Sequence, residues 1–128
     1  MLDMDTFREI VSDLLDELPL EFFKELSGGI IASEECKVPE YAKADDINTM
    51  GTYAVYQGGK QITIYKGSFD RVYPNATEKE MKELLRGVIR HEFRHHLEFL
   101  GGVRNSKSLE AEDERKRKAY LKSHEAKE

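Results

Sequence analysis

Between Thr77-Glu78-Lys79-Glu80 and Gly101-Gly102 the only helix breaker is Gly87, and this stretch contains His91-Glu92-Phe93-Arg94-His95. The Thr77/Glu80 pair is a capping box, which marks a helix start, and the glycine pair marks its stop. The spacing therefore predicts one helix of roughly twenty residues. Leu85, Ile89, Phe93, Leu97 and Leu100 fall along one flank of it, while His91, His95 and Glu98 share a neighbouring flank. Such a helix can bury one side and present two imidazoles from the other, separated by one turn and a rise of roughly 6 Å. Two rings so placed can converge on a single ion. Glu92 stands one step round, where a carboxylate can take a proton from bound water without being a ligand.

A catalytic zinc ion takes three protein ligands and keeps a fourth position for water. His91 and His95 supply two. Glu98 lies on the histidine side but a further turn along. Past the glycine pair, Ser108-Leu109-Glu110-Ala111-Glu112-Asp113 offers three acids on an element that can fold back over the site. Glu110 is the first choice for the third ligand and Asp113 the second. Zinc held this way makes hydroxide available near neutral pH, with Glu92 as the general base for attack on a peptide carbonyl. Tyr65 and Tyr73, just upstream of the motif helix, are candidates to assist the oxyanion, although each is more readily explained by packing. His96 points about 100° away from His95 and reads as a packing residue. His124 reads as an exposed residue of a polar tail.

The rest of the chain describes one domain over residues 1–128. Thr6 and Glu9 have capping-box spacing, and Phe7, Ile10, Val11, Leu14, Leu15 and Leu18 recur at helical period. Pro19 opens a second short helix through Leu20, Phe22, Phe23 and Leu26, ended by Ser27-Gly28-Gly29. A strand is expected from Ile30 toward Val38, followed by a polar stretch from Pro39 to Thr49 that is either a surface loop or the mobile rim of a cleft. Thr52–Gln57 and Lys60–Lys66 are β-rich runs around Gly58-Gly59, a hairpin signal. Gly67 to Asn75 reads as irregular. Ser108 caps a last helix whose acidic start and basic continuation complement the helix dipole. Arg90 and Arg94 are placed to pair with nearby acids, those of the last helix among them.

Charge and cysteine content narrow the class. Twenty Lys and Arg against 25 Asp and Glu leave a formal charge of −5, with no basic face of the kind nucleic acid requires. The single cysteine, Cys36, has no partner for an internal disulfide, which suits a reducing compartment. Met1-Leu2-Asp3-Met4-Asp5 lacks the order of a secretory signal, and no apolar run is long enough for a bilayer. The expectation is a cytoplasmic protein without membrane or nucleic-acid partners.

Taken together, Phe7 to Leu18 with Pro19 and Phe22, then Gly51-Thr52-Tyr53, Ile62-Thr63-Ile64-Tyr65-Lys66-Gly67 and His91-Glu92-Phe93-Arg94-His95-His96 resemble the small single-domain zincin-like metallopeptidases of bacteria. The resemblance implies an α+β minimal zincin-like fold, with a small β-sheet packed on helices and a long active-site helix beneath it. It implies a zinc-dependent peptidase acting on a peptide or protein that lies beside a strand of the Thr52–Lys66 hairpin. It also admits a metal-binding regulatory module of the same fold without proteolysis. Members of the group are similar to HExxHxxG with an acid shortly after. Here Glu98 stands in the glycine place and Asn105 where that acid is expected, so the histidines and Glu92 carry over but the third ligand does not.

Overall fold

The computed structural model describes residues 1–43, 47–102 and 109–125, the side chains of Leu109, Glu110, His124 and Glu125 excepted. Helix α1 (Met4–Leu15) buries Phe7, Ile10, Val11 and Leu14. It starts earlier than the Thr6/Glu9 pattern predicts, because the Asp3 carboxylate accepts the Thr6 amide at 2.7 Å and serves as N-cap. An aspartate there satisfies an orphan amide and also places negative charge at the helix start. The earlier start also brings Leu2 and Met4 against the core. The helix ends at Leu15, and Leu18 packs on the core from beyond it.

The segment after Pro19 is a single 3₁₀ turn, Leu20–Phe23, rather than a helix through Leu26. The chain leaves it through Glu25 at φ 61°, before the glycines are reached. This turn sets Phe22 and Phe23 against Phe93, with ring centroids 6.4 and 5.2 Å away. The two ring contacts outweigh helix propensity here.

Strands β1 (Gly29–Ser33), β2 (Gly51–Tyr56) and β3 (Gly59–Tyr65) form a three-stranded mixed sheet in the order β1-β3-β2. β1 stops short of Val38, and Lys37 instead makes an isolated antiparallel bridge with Thr49. β2 and β3 are the expected hairpin, with Tyr56 opposite Gly59. The turn residues are therefore Gln57 and Gly58, one position earlier than expected, and Gly58 takes the positive φ of 122°. β3 is central, parallel to β1 and antiparallel to β2, and its Ile62 and Ile64 are fully buried. Among the described residues β2 is an edge strand.

Lys66–Val72 forms helix α2 where an irregular segment is expected. Gly67 weakens the helical signal, but a side chain there would lie 2.5–2.6 Å from the backbone of Glu34–Cys36, so close packing requires the glycine. Phe69 packs on Phe7 at 5.9 Å, and buried Ser68 accepts the Lys37 amide at 2.9 Å. Tertiary contact overrides local preference.

Helix α3 (Glu78–Gly101) has the predicted capping box, both of its hydrogen bonds being 3.2 Å, and ends at Gly102 with φ 67°. Met81, Leu85, Ile89 and Phe93 form its buried row and meet α1 and the sheet. Helix α4 (Leu109–Glu125) has no comparable apolar stripe; its expected cap, Ser108, lies outside the described residues. It is fastened by Tyr120, whose ring meets Tyr41 edge-on at 5.5 Å and whose hydroxyl accepts the Lys43 amide at 3.1 Å. The fold is thus α+β, with four α-helices and one small sheet among the described residues. No described helix is long and apolar enough to cross a membrane.

Candidate metal centre

Three rows of α3 have different surroundings. Leu85, Ile89 and Phe93 face the core. Val88 and Glu92 lie under the start of β2, where a side chain at Gly51 would come within 3.0 Å of Val88 and 3.2 Å of Glu92. Gly87, His91 and His95 face a cleft of about 640 Å³. The other wall of that cleft is the segment Asn48–Tyr53, and α4 contributes Asp113 and Lys116.

His91, His95 and Asp113 converge, with one ligand atom from each lying within 4.8 Å of the others. Asp113 Oδ2 is 2.8 Å from His95 Nε2, and its Oδ1 is 3.8 Å from His91 Nε2. In a tetrahedral zinc site with bonds near 2.0–2.1 Å, ligand atoms stand about 3.3 Å apart. Those two separations involve different carboxylate oxygens, and one atom from each side chain lies within 4.8 Å of the others, close enough for the three to close on a small divalent ion. Among the described acids considered for the third position, Asp113 is the one brought to the histidines. The side chains of Glu110 and His124 lie outside the described residues, and Glu98 pairs with Arg94 at 3.1 Å.

The electrostatics differ from one group to the next. Burial chiefly holds the His91 imidazole below its ordinary range, opposed by the charge of Asp113, which favours the neutral ring that metal ligation needs. His95 is raised, first by its hydrogen bond to Asp113. For Asp113, burial acts upward but is outweighed by the His95 hydrogen bond and the charge of both imidazoles, leaving it below the usual carboxylate range. Glu92 is 5% exposed, and burial pushes its carboxyl up to about 7, against the attraction of His95 and with the repulsion of Asp113. A carboxyl poised near neutrality beside the histidine pair has the proton affinity of a general base.

His96 is fully buried and holds the site's frame together. Its Nε2 donates to the Lys24 carbonyl at 2.7 Å, and its Nδ1 shares a hydrogen bond with the Tyr53 hydroxyl, also at 2.7 Å. This bond ties the edge strand to α3 and engages the one tyrosine that lines the cleft among the described residues. Neither Tyr65 nor Tyr73 lines it: Tyr65 bonds Thr52 at 3.0 Å beneath a Lys37 ammonium, and Tyr73 borders a separate hollow with Val72 and Pro74. Arg90 pairs with Glu17 and Arg94 with Glu98, both nearby acids. Asn48 belongs to the polar stretch that could form the rim of a cleft, whereas Lys116 was not legible as a cleft residue. The one available signal is on α4, where Asp113, Lys116 and Tyr120 recur at three and seven residues and so share a face.

No family model matches the chain, and no curated protein matches it. Among solved structures it is similar to a conserved hypothetical protein from T. thermophilus, with a TM-score of 0.68 and 26% identity, covering 78% of this chain and 98% of that one.

Proposed function

We propose that the protein is a zinc-dependent peptidase of minimal zincin-like architecture. The observation that carries this reading is the convergence of His91, His95 and Asp113 on one point, with Glu92 beside them and an edge strand alongside. His91, His95 and Asp113 would hold the ion. Zinc there would act as a Lewis acid and make a water molecule acidic enough to ionise near neutral pH. Glu92 takes the proton from the attacking water and returns it to the leaving amine. Its burial supports this role, since a solvated glutamate would be too weak a base.

The edge position of β2 supports a peptide as substrate. Gly51, Thr52 and Tyr53 border the cleft from a strand that has a neighbour on one side only among the described residues. An extended peptide can add to the sheet there through main-chain hydrogen bonds and lie across the histidines. The His96–Tyr53 bond keeps that edge at a fixed distance from α3. The direct test is Glu92→Gln. Zinc should bind with unchanged stoichiometry while hydrolysis of a peptide mixture falls by about 10²–10⁴-fold. Equal hydrolysis by both forms, or none by the zinc-loaded wild type, would reject the assignment and leave at most a metal-binding module.

A further inference from the structure

Among the described residues that line the cleft, Lys116 is the one lysine or arginine. Its place is fixed from both sides. Three residues before it, Asp113 bonds His95 at 2.8 Å; four after it, Tyr120 meets the Tyr41 ring and the Lys43 amide. Residues at these spacings share a face of α4, so Lys116 stands over the cleft between two attachments. It also lines a second hollow of about 410 Å³, which shares Thr49, Asp113 and Lys116 with the cleft and continues to Pro39, Tyr41 and Arg117. Arg117 is engaged there, bonding Glu114 at 3.0 Å and standing over the Tyr41 ring. Lys116 has no ion-pair partner among the described residues. Its charge is felt at His91 and Asp113, where it would repel a divalent ion held by those ligands. Holding the metal therefore does not account for it, whereas an unpaired ammonium facing a cleft suits a negative group that arrives with the substrate.

We propose that Lys116 is a specificity-determining residue that pairs with the carboxylate of an aspartate or glutamate side chain next to the cleaved bond, so that the cleft selects acidic peptides. This rests on the peptidase reading of the same cleft. The dimensions agree. Side chains three apart on a helix have Cβ atoms about 5–6 Å from each other, so Lys116 and the ion held by Asp113 are neighbours. An extended substrate advances roughly 3.3 Å per residue, and the side chain of a residue flanking the reacting carbonyl spans the remainder. The cleft does not close at Lys116 but opens into the second hollow, leaving room for the chain to run on. The group met there is accordingly a side chain rather than a chain end.

The test uses zinc-loaded full-length protein and small hydroxamates, which chelate an open metal site whether or not the protein cleaves anything. Acetyl-glutamate and acetyl-glutamine hydroxamates place the side chain on the amino-terminal side of the metal. Malonyl monohydroxamates of glutamate amide and glutamine amide place it on the other side. Each pair differs only in carboxylate against carboxamide, and both are titrated calorimetrically at low ionic strength, where an exposed pair is least screened. In wild type one pair should show a carboxylate preference of about threefold to fivefold, the scale of a single exposed ion pair. Lys116→Gln should bring that ratio close to one with zinc stoichiometry unchanged, and Lys116→Arg should keep it. Lys118→Gln removes the same charge from the opposite side of α4 and should also keep it. Ratios near one in wild type for both pairs, an undiminished ratio in Lys116→Gln, or an equal fall in Lys118→Gln overturns the assignment of Lys116. Failure of every hydroxamate to bind zinc-loaded wild type overturns the open metal site itself, a distinguishable result.

Discussion

At the scale of single residues, Glu92 has two environments to reconcile. In the proposed site it would lie next to a cation, yet its carboxyl is nearly closed off from solvent and its proton is held to about 7. The sign of the consequence follows from linkage. The unfolded carboxyl titrates near 4.5, so between that value and 7 the folded protein binds more protons than the unfolded chain. Stability of chelator-treated wild type should therefore decline as pH rises through this window, by about 2–3 kcal/mol. Glu92→Gln cannot ionise and should lack this component, so the variant gains on wild type toward pH 8. Urea unfolding of both metal-free proteins from pH 4.5 to 8 checks it, and parallel pH profiles would contradict it. His96 gives a second residue-scale expectation. Replacing it with Phe leaves the Tyr53 hydroxyl and the Lys24 carbonyl without their partner, and should lower stability by about 1 kcal/mol per hydrogen bond lost. A thermal melt indistinguishable from wild type would show that water replaces the ring at no loss.

Among the elements, α3 was legible because local and global signals agree: a capping box at Thr77, a buried row at helical period and a glycine stop. α2 was not, because its reason for being helical is remote. Phe69 must reach Phe7, and Gly67 must clear the backbone of Glu34–Cys36. The first helix shows a milder form of the same problem, since both Asp3 and Thr6 are good caps and only the packing of Met4 separates them. Which acid meets the histidines was illegible in its exact position for a geometric reason. Several acids open α4, and which one faces the histidines depends on the rotation of that helix about its axis, fixed by Tyr120 against Tyr41 and Lys43. α4 lacks an apolar stripe, so Asp113 and Tyr120 are prominent among its attachments to the body. Zinc binding should accordingly slow amide exchange and trypsin cleavage around Arg115–Lys118, and Asp113→Asn should remove that zinc dependence. Identical protection with zinc and with chelator would mean that α4 docks without help from the ion.

For the molecule as a whole, the arrangement is a small sheet whose central strand buries Ile62 and Ile64 and whose outer strand, β2, borders the helix carrying His91 and His95. The core formed by α1, α3 and β3 does not include His91, His95 or Asp113, so a bound ion should add to stability rather than create the fold. This contrasts with small zinc-dependent domains that unfold when stripped. The central claim is that two imidazoles of α3 and the carboxylate of Asp113 grip one divalent cation, and a calorimetric zinc titration of chelator-stripped protein tests it most directly. One zinc should bind per chain, with Tm raised on loading, and both effects should disappear in His95→Ala and fall sharply in Asp113→Asn. Absence of binding to wild type, or equal binding by His95→Ala, would contradict the account.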